Sequence, residues 1–169
     1  GQSQVLKYLE PLSKKYKILI FIFEKKFDIT EFNILKERLN KKNIQWYKMR
    51  YHKKPKILSS LYDIFISFFF SFYLSVRYKV NIIHTRSYIP ALIGLILKLF
   101  LNKKFIFDMR GFWADERVDG GIWSKNSLIY KITKRLEIFM LKYSDKIVTL
   151  TKISKEILIK DFIFLNNNK

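Results

Sequence analysis

Two rhythms of apolar and polar residues take turns along this chain. Segments of strand length occur at Lys17–Phe23 (KILIFIF), Ile44–Tyr51 (IQWYKMRY), Asn81–His84, Lys104–Phe107 and Lys146–Leu150 (KIVTL). Short runs rich in β-branched and aromatic residues suit strands buried on both faces. Between them, apolar residues recur at the three- and four-residue steps of a helix. Val5, Leu6, Leu9 and Leu12 form the first such face, with Ser3 as its expected N-cap. Phe32, Ile34, Leu35 and Leu39 form the second. Ala91–Leu101 is a third helix, begun near Pro90, and Asn102-Lys103 turns the chain after it. Leu128–Tyr143 carries Ile129, Ile132, Leu136, Phe139 and Met140 on one face. Thr151 is placed to cap a last helix, Lys152–Lys160. Strands that alternate with helices predict an α/β fold, a parallel sheet with flanking helices. Residues 108–127 are expected to be a long loop, and a loop of that length in a compact domain is usually functional. One domain over 1–160 with a polar tail at 161–169 is the expected organisation.

The stretch 57–76, ILSSLYDIFISFFFSFYLSV, departs from this rhythm. It is about one bilayer thickness of mostly apolar sequence. Asp63 and five serines interrupt it, and a central Asp costs a lone transmembrane helix roughly 3 kcal/mol. The expected reading is a helix packed on the sheet, with one aromatic side turned towards lipid headgroups. Lys53, Lys54 and Lys56 before it, and Arg77 and Lys79 after it, suit a membrane surface.

Charge and composition sharpen the choice of partners. Lys and Arg total 33 against 14 Asp and Glu, a formal net charge of +19, which favours polyanions. Part of the lysine, isoleucine, phenylalanine and asparagine excess is also what an AT-rich genome produces. The aromatic residues fall mostly inside apolar runs rather than among Lys and Arg, so nucleic acid is not the expected partner. Without cysteine, disulfides and thiolate chemistry are excluded. The two histidines, His52 and His84, stand far apart, and no metal site is expected. No complete Walker or G-x-G-x-x-G phosphate loop is present. No signal peptide is expected, since no charged segment with an apolar core precedes Gln2.

Two polar clusters follow the third and fourth strands. His84-Thr85-Arg86-Ser87 follows one, and Asp108-Met109-Arg110-Gly111 the other. In a parallel α/β sheet, ligands bind outside the carboxyl ends of the strands, so both clusters are expected on one edge. Asp108, Arg110, Asp115, Glu116, Arg117 and Asp119 bring carboxylates and guanidinium groups together, fit for acid–base work or for clamping phosphate. They also suit a solvated loop that pairs its own charges. Strand geometry puts His84 and Arg86 on one face. His84 can move a proton there or serve as a satisfied structural residue, and both readings stand. Trp113 and Trp123 can stack on a sugar or anchor the loop, and Gly120-Gly121 suggests a hinge. A helix start at Gly1-Gln2 can offer free N–H groups to an anion.

The segments GQSQVL (1–6), HTRSYIPAL (84–92), FIFDMRGFWADERVDGGIW (105–123) and DKIVTLTKISKEI (145–157) resemble glycosyltransferase family 4. They are similar to the amino-terminal domain of a bacterial envelope or exopolysaccharide member. FDMRGFWADERVDGG is the specific part; the final strand and helix are generic. The resemblance implies a Rossmann-like sheet forming one half of a GT-B architecture, with a first strand and a carboxy-terminal donor domain lying outside these residues. It implies transfer of a sugar, with retention, from a nucleotide-sugar to a glycan or lipid-linked acceptor, with no metal or other cofactor. By resemblance, Arg110 and Asp108 line the catalytic cleft. His84, Arg86, Ser87, Gly111 and Glu116 contact the acceptor, and Gly1 and Gln2 approach the donor diphosphate. Arg110 stands where many members carry a histidine, so it is expected to steady phosphate or acceptor charge instead. The implied location is cytoplasmic, peripheral at the inner face of the cytoplasmic membrane, and the chain alone is expected to be inactive. The alternative is a non-catalytic basic module that binds a membrane surface or nucleic acid.

Overall fold

The computed structural model of the protein describes residues 2–24, 29–52, 54–162 and 165. In chain order the elements are α1 (Gln2–Ser13), β1 (Ile18–Glu24), α2 (Ile29–Asn40), β2 (Ile44–Arg50), α3 (Lys56–Arg77) and β3 (Ile82–Arg86). They continue with α4 (Tyr88–Leu101), β4 (Lys104–Met109), α5 (Trp113–Asp119), α6 (Leu128–Tyr143), β5 (Lys146–Thr149) and α7 (Lys152–Asp161). The fold is therefore α/β, with parallel strands joined through helices, as the pattern predicts. The chain divides into two compact units, Gly1–Asp63 and Ile64–Lys169.

In the first unit β1 and β2 pair in parallel, from Ile18 against Ile44 to Glu24 against Arg50. Helix α2 makes the crossover that a parallel pair requires. Leu39, Ile44 and Trp46 form the core, with Leu6, Leu9, Ile18, Ile20, Ile22, Phe32 and Leu35 packed against them. Phe32 meets the Trp46 ring edge-on at 5.3 Å. Leu12 and Ile34, expected on buried faces, are exposed. Ile34 lies on the far side of α2 from the residues that reach the core, and Leu12 sits in the last turn of α1, beyond the two leucines that reach it. Helix α1 begins at Gln2, so Ser3 is inside the helix and not its cap. Near the end of α1, Glu10 takes Lys42 at 2.8 Å and Arg38 at 3.4 Å. The hydrogen bond from Lys42 holds its carboxyl below the usual range.

In the second unit the order is β3-β4-β5, all parallel. Phe105, Phe107 and Met109 project from β4 into a core closed by Tyr88, Ala91 and Leu95 of α4, Met140 and Leu141 of α6, and Leu158 of α7. Asp145 secures the start of β5: it accepts from the Phe105 backbone N–H at 2.7 Å and from Lys98 at 2.6 Å. Burial works against the charge, but these bonds outweigh it and hold the Asp145 carboxyl low. Thr151 caps α7 as expected, accepting from the Ser154 N–H at 3.0 Å.

Helix α4 comes close to the sheet at Gly94. A Cβ there would stand 2.6 Å from Thr85 Cγ2 and 2.8 Å from Phe105 Cε2, and Phe105 is fully buried. Gly94→Ala is therefore expected to cost about 2 kcal/mol through overpacking, despite alanine's better helix propensity. Thermal unfolding followed by circular dichroism should show a fall in Tm of roughly 4–8 °C. An unchanged Tm would mean that α4 can move off the sheet freely.

Three differences from the sequence reading have physical causes. The five strands form two parallel sheets among the described residues, and β1 and β3 each pair on one edge only. Apolar runs announce strands but carry no record of which strands are neighbours. The expected loop 108–127 contains α5, a helix with Asp115 and Glu116 in its first turn, where carboxylates favour the positive end of the helix dipole. Helix α6 is turned relative to its apolar stripe. Ile129, Ile132 and Phe139 are exposed, while Glu137, Met140 and Leu141 are buried. Glu137 is accepted inside because two side chains satisfy it: the Tyr88 hydroxyl donates to Oε2, and Lys134 stands 2.5 Å from Oε1.

Candidate functional site

Strands β3 and β4 carry the site at their carboxyl ends, and both run further than the apolar pattern shows. β3 continues through Thr85 to Arg86, and β4 through Asp108 to Met109. Their register sets Arg86 directly opposite Asp108. The alternation of β3 buries Thr85 and leaves His84 and Arg86 on the other face.

Asp108 is the centre of the cluster. It is buried, at 6% exposure, yet three cationic or titratable side chains surround it. His84 Nε2 lies 4.0 Å and Arg86 Nε 3.9 Å from Oδ2, and an Arg110 guanidinium nitrogen lies 3.7 Å from Oδ1. These are ion-pair distances and too long for hydrogen bonds. Oδ1 is buried and accepts no hydrogen bond among the described residues. Native buried polar atoms are nearly always satisfied, so an orphaned carboxylate oxygen at a strand end marks the place where a donor belongs. Burial lowers the His84 pKa; the Asp108 charge opposes that shift and Arg86 adds to it. His84 is thereby kept in its neutral form, able to accept a proton.

The backbone around this cluster is also unusual. Ser87 has φ 76° and ψ 171°, a region that side chains other than glycine rarely enter. Its N–H donates to the Asp108 carbonyl at 3.0 Å, which ties the end of β3 to β4. Glu116 leans on Gly111: a Cβ there would meet Glu116 Oε1 at 2.2 Å, so this side chain would have to swing aside. The Tyr88 hydroxyl oxygen stands 3.2 Å from the Gly111 carbonyl, while its one proton goes to Glu137. Glu116 in turn lines a cleft of about 420 Å³ with Asp115, Asp119, Lys134 and Asp161.

His84, Arg86, Ser87, Asp108 and Arg110 are therefore brought together, with Gly111 and Glu116 adjoining through α5. Gly1 lies outside the described residues, and Gln2 opens α1 in the other unit. Trp113 is an anchor: it meets Trp123 at 5.2 Å and Tyr88 at 5.6 Å and packs on the core. Gly120 ends α5, its N–H donating to the Glu116 carbonyl, and Gly121 takes the left-handed turn at φ 68°.

A second polar group escaped the sequence reading. The chain of contacts runs from the Gly111 carbonyl through Tyr88, Glu137 and Lys134 to Asp115, which also accepts from the Tyr130 hydroxyl at 2.8 Å. Burial and the Glu137 carboxylate push the Tyr88 phenol far up. Burial pulls Lys134 down, but its bonds to Glu137 and Asp115 outweigh that and raise it. This network supports the loop that carries Arg110 and Gly111. Among the described residues, no three His, Asp or Glu side chains gather as a metal site. No protein-family model matches the chain, and no curated protein matches it either.

Proposed function

We propose that this chain is the acceptor-side half of a retaining glycosyltransferase that moves a sugar from a nucleotide-sugar to a glycan or lipid-linked acceptor. The supporting observation is the buried Asp108 carboxylate, ringed by His84, Arg86 and Arg110, with one oxygen accepting no hydrogen bond among the described residues. An acceptor hydroxyl is a donor of the kind that oxygen lacks. A carboxylate that takes this hydrogen bond orients the hydroxyl and increases the electron density on its attacking oxygen. The two guanidinium groups suit a phosphate or carboxylate carried by the acceptor, which they can hold bidentately. Neutral His84 is a second proton acceptor at the same edge. The strained Ser87 backbone and the Gly111–Glu116 contact fix the cluster's rim. Gly1 and Gln2 are assigned to the donor diphosphate on resemblance alone. Donor binding otherwise falls to a second half outside these residues, so the chain alone should transfer no sugar.

The test is a titration of the isotope-labelled chain, followed by nuclear magnetic resonance, with a short lipid diphosphate saccharide and separately with nucleotide-sugars. The acceptor-type compound should shift the signals of His84, Arg86 and Arg110. Arg86→Ala and Arg110→Ala should each weaken its binding about tenfold, the worth of one charge-assisted hydrogen bond. Nucleotide-sugars alone should leave the cluster unmoved. If the cluster ignores every diphosphate-linked or free glycan acceptor, or if the isolated chain forms a glycosidic bond, this function is wrong.

A further inference from the structure

We propose that the outward face of α3 is a docking surface for an anionic lipid bilayer, on which the helix lies flat. The inference stands on this helix alone and does not depend on sugar transfer.

Helix α3 wears its polarity inside out. Its buried residues include Ser59, Asp63, Ser67 and Ser75, whereas Leu58, Phe65, Phe69 and Val76 are each more than half exposed. Leu61, Tyr62 and Tyr73 belong to the same exposed face. At helical spacing these outward residues fall within an arc of about 120°, and the buried serines and Asp63 occupy the opposite side. An ordinary surface helix shows the reverse arrangement. The exposed rings are also mutually packed: Phe65 and Phe69 stand 4.5 Å apart, and Phe69 meets Phe68 at 5.2 Å. A continuous apolar strip of this length is not tolerated bare on a soluble surface without a partner.

Charge selects the partner. Lys54 lies before the strip, Arg77 and Lys79 lie after it, and all three are exposed. The helix's one acidic residue, Asp63, is turned inward. Cations at both ends of an aromatic and aliphatic strip match the headgroup and acyl layers of an anionic membrane. A second copy of a +19 chain would instead set like charges together. The residues 58–77 are long and apolar enough to cross a bilayer. Asp63 argues for lying on it: its Oδ2 accepts from the His52 N–H at 2.9 Å, and its Oδ1 is 2.6 Å from His52 Nδ1. A spanning helix would carry that pair and the buried serines into hydrocarbon, where each polar group is costly.

The experiment measures co-sedimentation of the full chain with phosphatidylcholine vesicles made with and without phosphatidylglycerol. Binding is expected only with the anionic lipid, and should weaken as salt is added. Phe65→Glu and Phe69→Glu together should reduce it about tenfold or more, with an unchanged circular dichroism spectrum, since both rings are exposed. Because the chain has no cysteine, Phe69→Cys gives a single site for a nitroxide label. Its depth by electron paramagnetic resonance should lie at the headgroup–acyl boundary. Failure to bind anionic vesicles, binding that ignores the two glutamates, a label at the bilayer centre, or a stable dimer that loses its contact on Phe65→Glu would each overturn the proposal.

Discussion

Replacing Glu137 with alanine should lower the stability of this protein by about 3–5 kcal/mol, because it opens a cavity at a fully buried site and takes the carboxylate away from Tyr88 and from the half-buried Lys134. Glu137 is fully buried, and its two oxygens meet Tyr88 and Lys134. In Glu137→Ala, Lys134 keeps Asp115 at 2.9 Å, but its inner side and the Tyr88 hydroxyl face a cavity. A loss of this size is a large share of the 5–15 kcal/mol typical of a folded domain. Tm should fall by about 10 °C or more. Glu137→Gln keeps the shape and one acceptor oxygen and should cost less than half as much. A double-mutant cycle with Tyr88→Phe isolates the hydroxyl–carboxylate contact, and strong non-additivity is expected. If Glu137→Ala melts like the parent protein, the network is ornamental and the loop at Arg110 is supported by something else.

The same network fixes a pH dependence. Lys134 and Tyr88 both have raised folded-state pKa values. A raised pKa means that the folded state holds its proton more tightly than the unfolded chain does. The stabilisation is therefore fully present at neutral pH. It is lost as pH climbs beyond the ordinary tyrosine and lysine values of about 10 to 10.4. Alkaline unfolding should begin there, and Glu137→Ala should flatten it, since Glu137 contributes to both shifts.

How far the sequence speaks for itself depends on how local the cause is. The strands and most helices are legible because burial on both faces, helical spacing and a threonine cap are written within a few residues. Although the register of Arg86 opposite Asp108 belongs to the assembled sheet, that the clusters at His84–Ser87 and Asp108–Gly111 share one sheet edge is nearly as legible, since it follows from two strand ends and the parallel rule. The rotation of α6 is not, because the residue that justifies burying Glu137 is Tyr88, 49 positions away. Helix α5 is hidden in the same way: seven residues between a glycine and a glycine pair look like loop until Trp113 is seen to pack on the core. The aromatic side of α3 that the sequence is expected to turn outward is exposed, with Ser67 and Ser75 buried opposite it. Which strands share a sheet is likewise a property of the assembled chain and not of any window.

Replacing Asp108 with asparagine should separate the two halves of the site's chemistry. Asparagine keeps the shape and removes the charge that Arg86 and Arg110 face at 3.9 and 3.7 Å. With the internal anion gone, the guanidinium groups are freer to take an external one, so affinity for a diphosphate acceptor should rise. Transfer in an assembly that includes the donor half should nonetheless fall by about a hundredfold or more, since an amide cannot receive the hydroxyl proton. His84 reports the same change inside the isolated chain. Its pKa is already lowered by burial, and Asp108 is the group that lifts it. Asp108→Asn should therefore move the His84 titration lower still, whereas Arg86→Ala, which removes a repelling charge, should move it up. The stability consequence has a definite sign. Below the unfolded histidine value of about 6.5 the unfolded chain binds the extra proton, so stability falls as pH falls. Asp108→Asn should deepen that loss and Arg86→Ala should relieve it. Ring-proton resonance titrations of the three proteins decide the matter. Opposite displacements mean that Asp108 and Arg86 act on one imidazole in one site. Equal or absent displacements mean that the cluster is a solvated charge group, and Asp108 then has no claim to the acceptor hydroxyl.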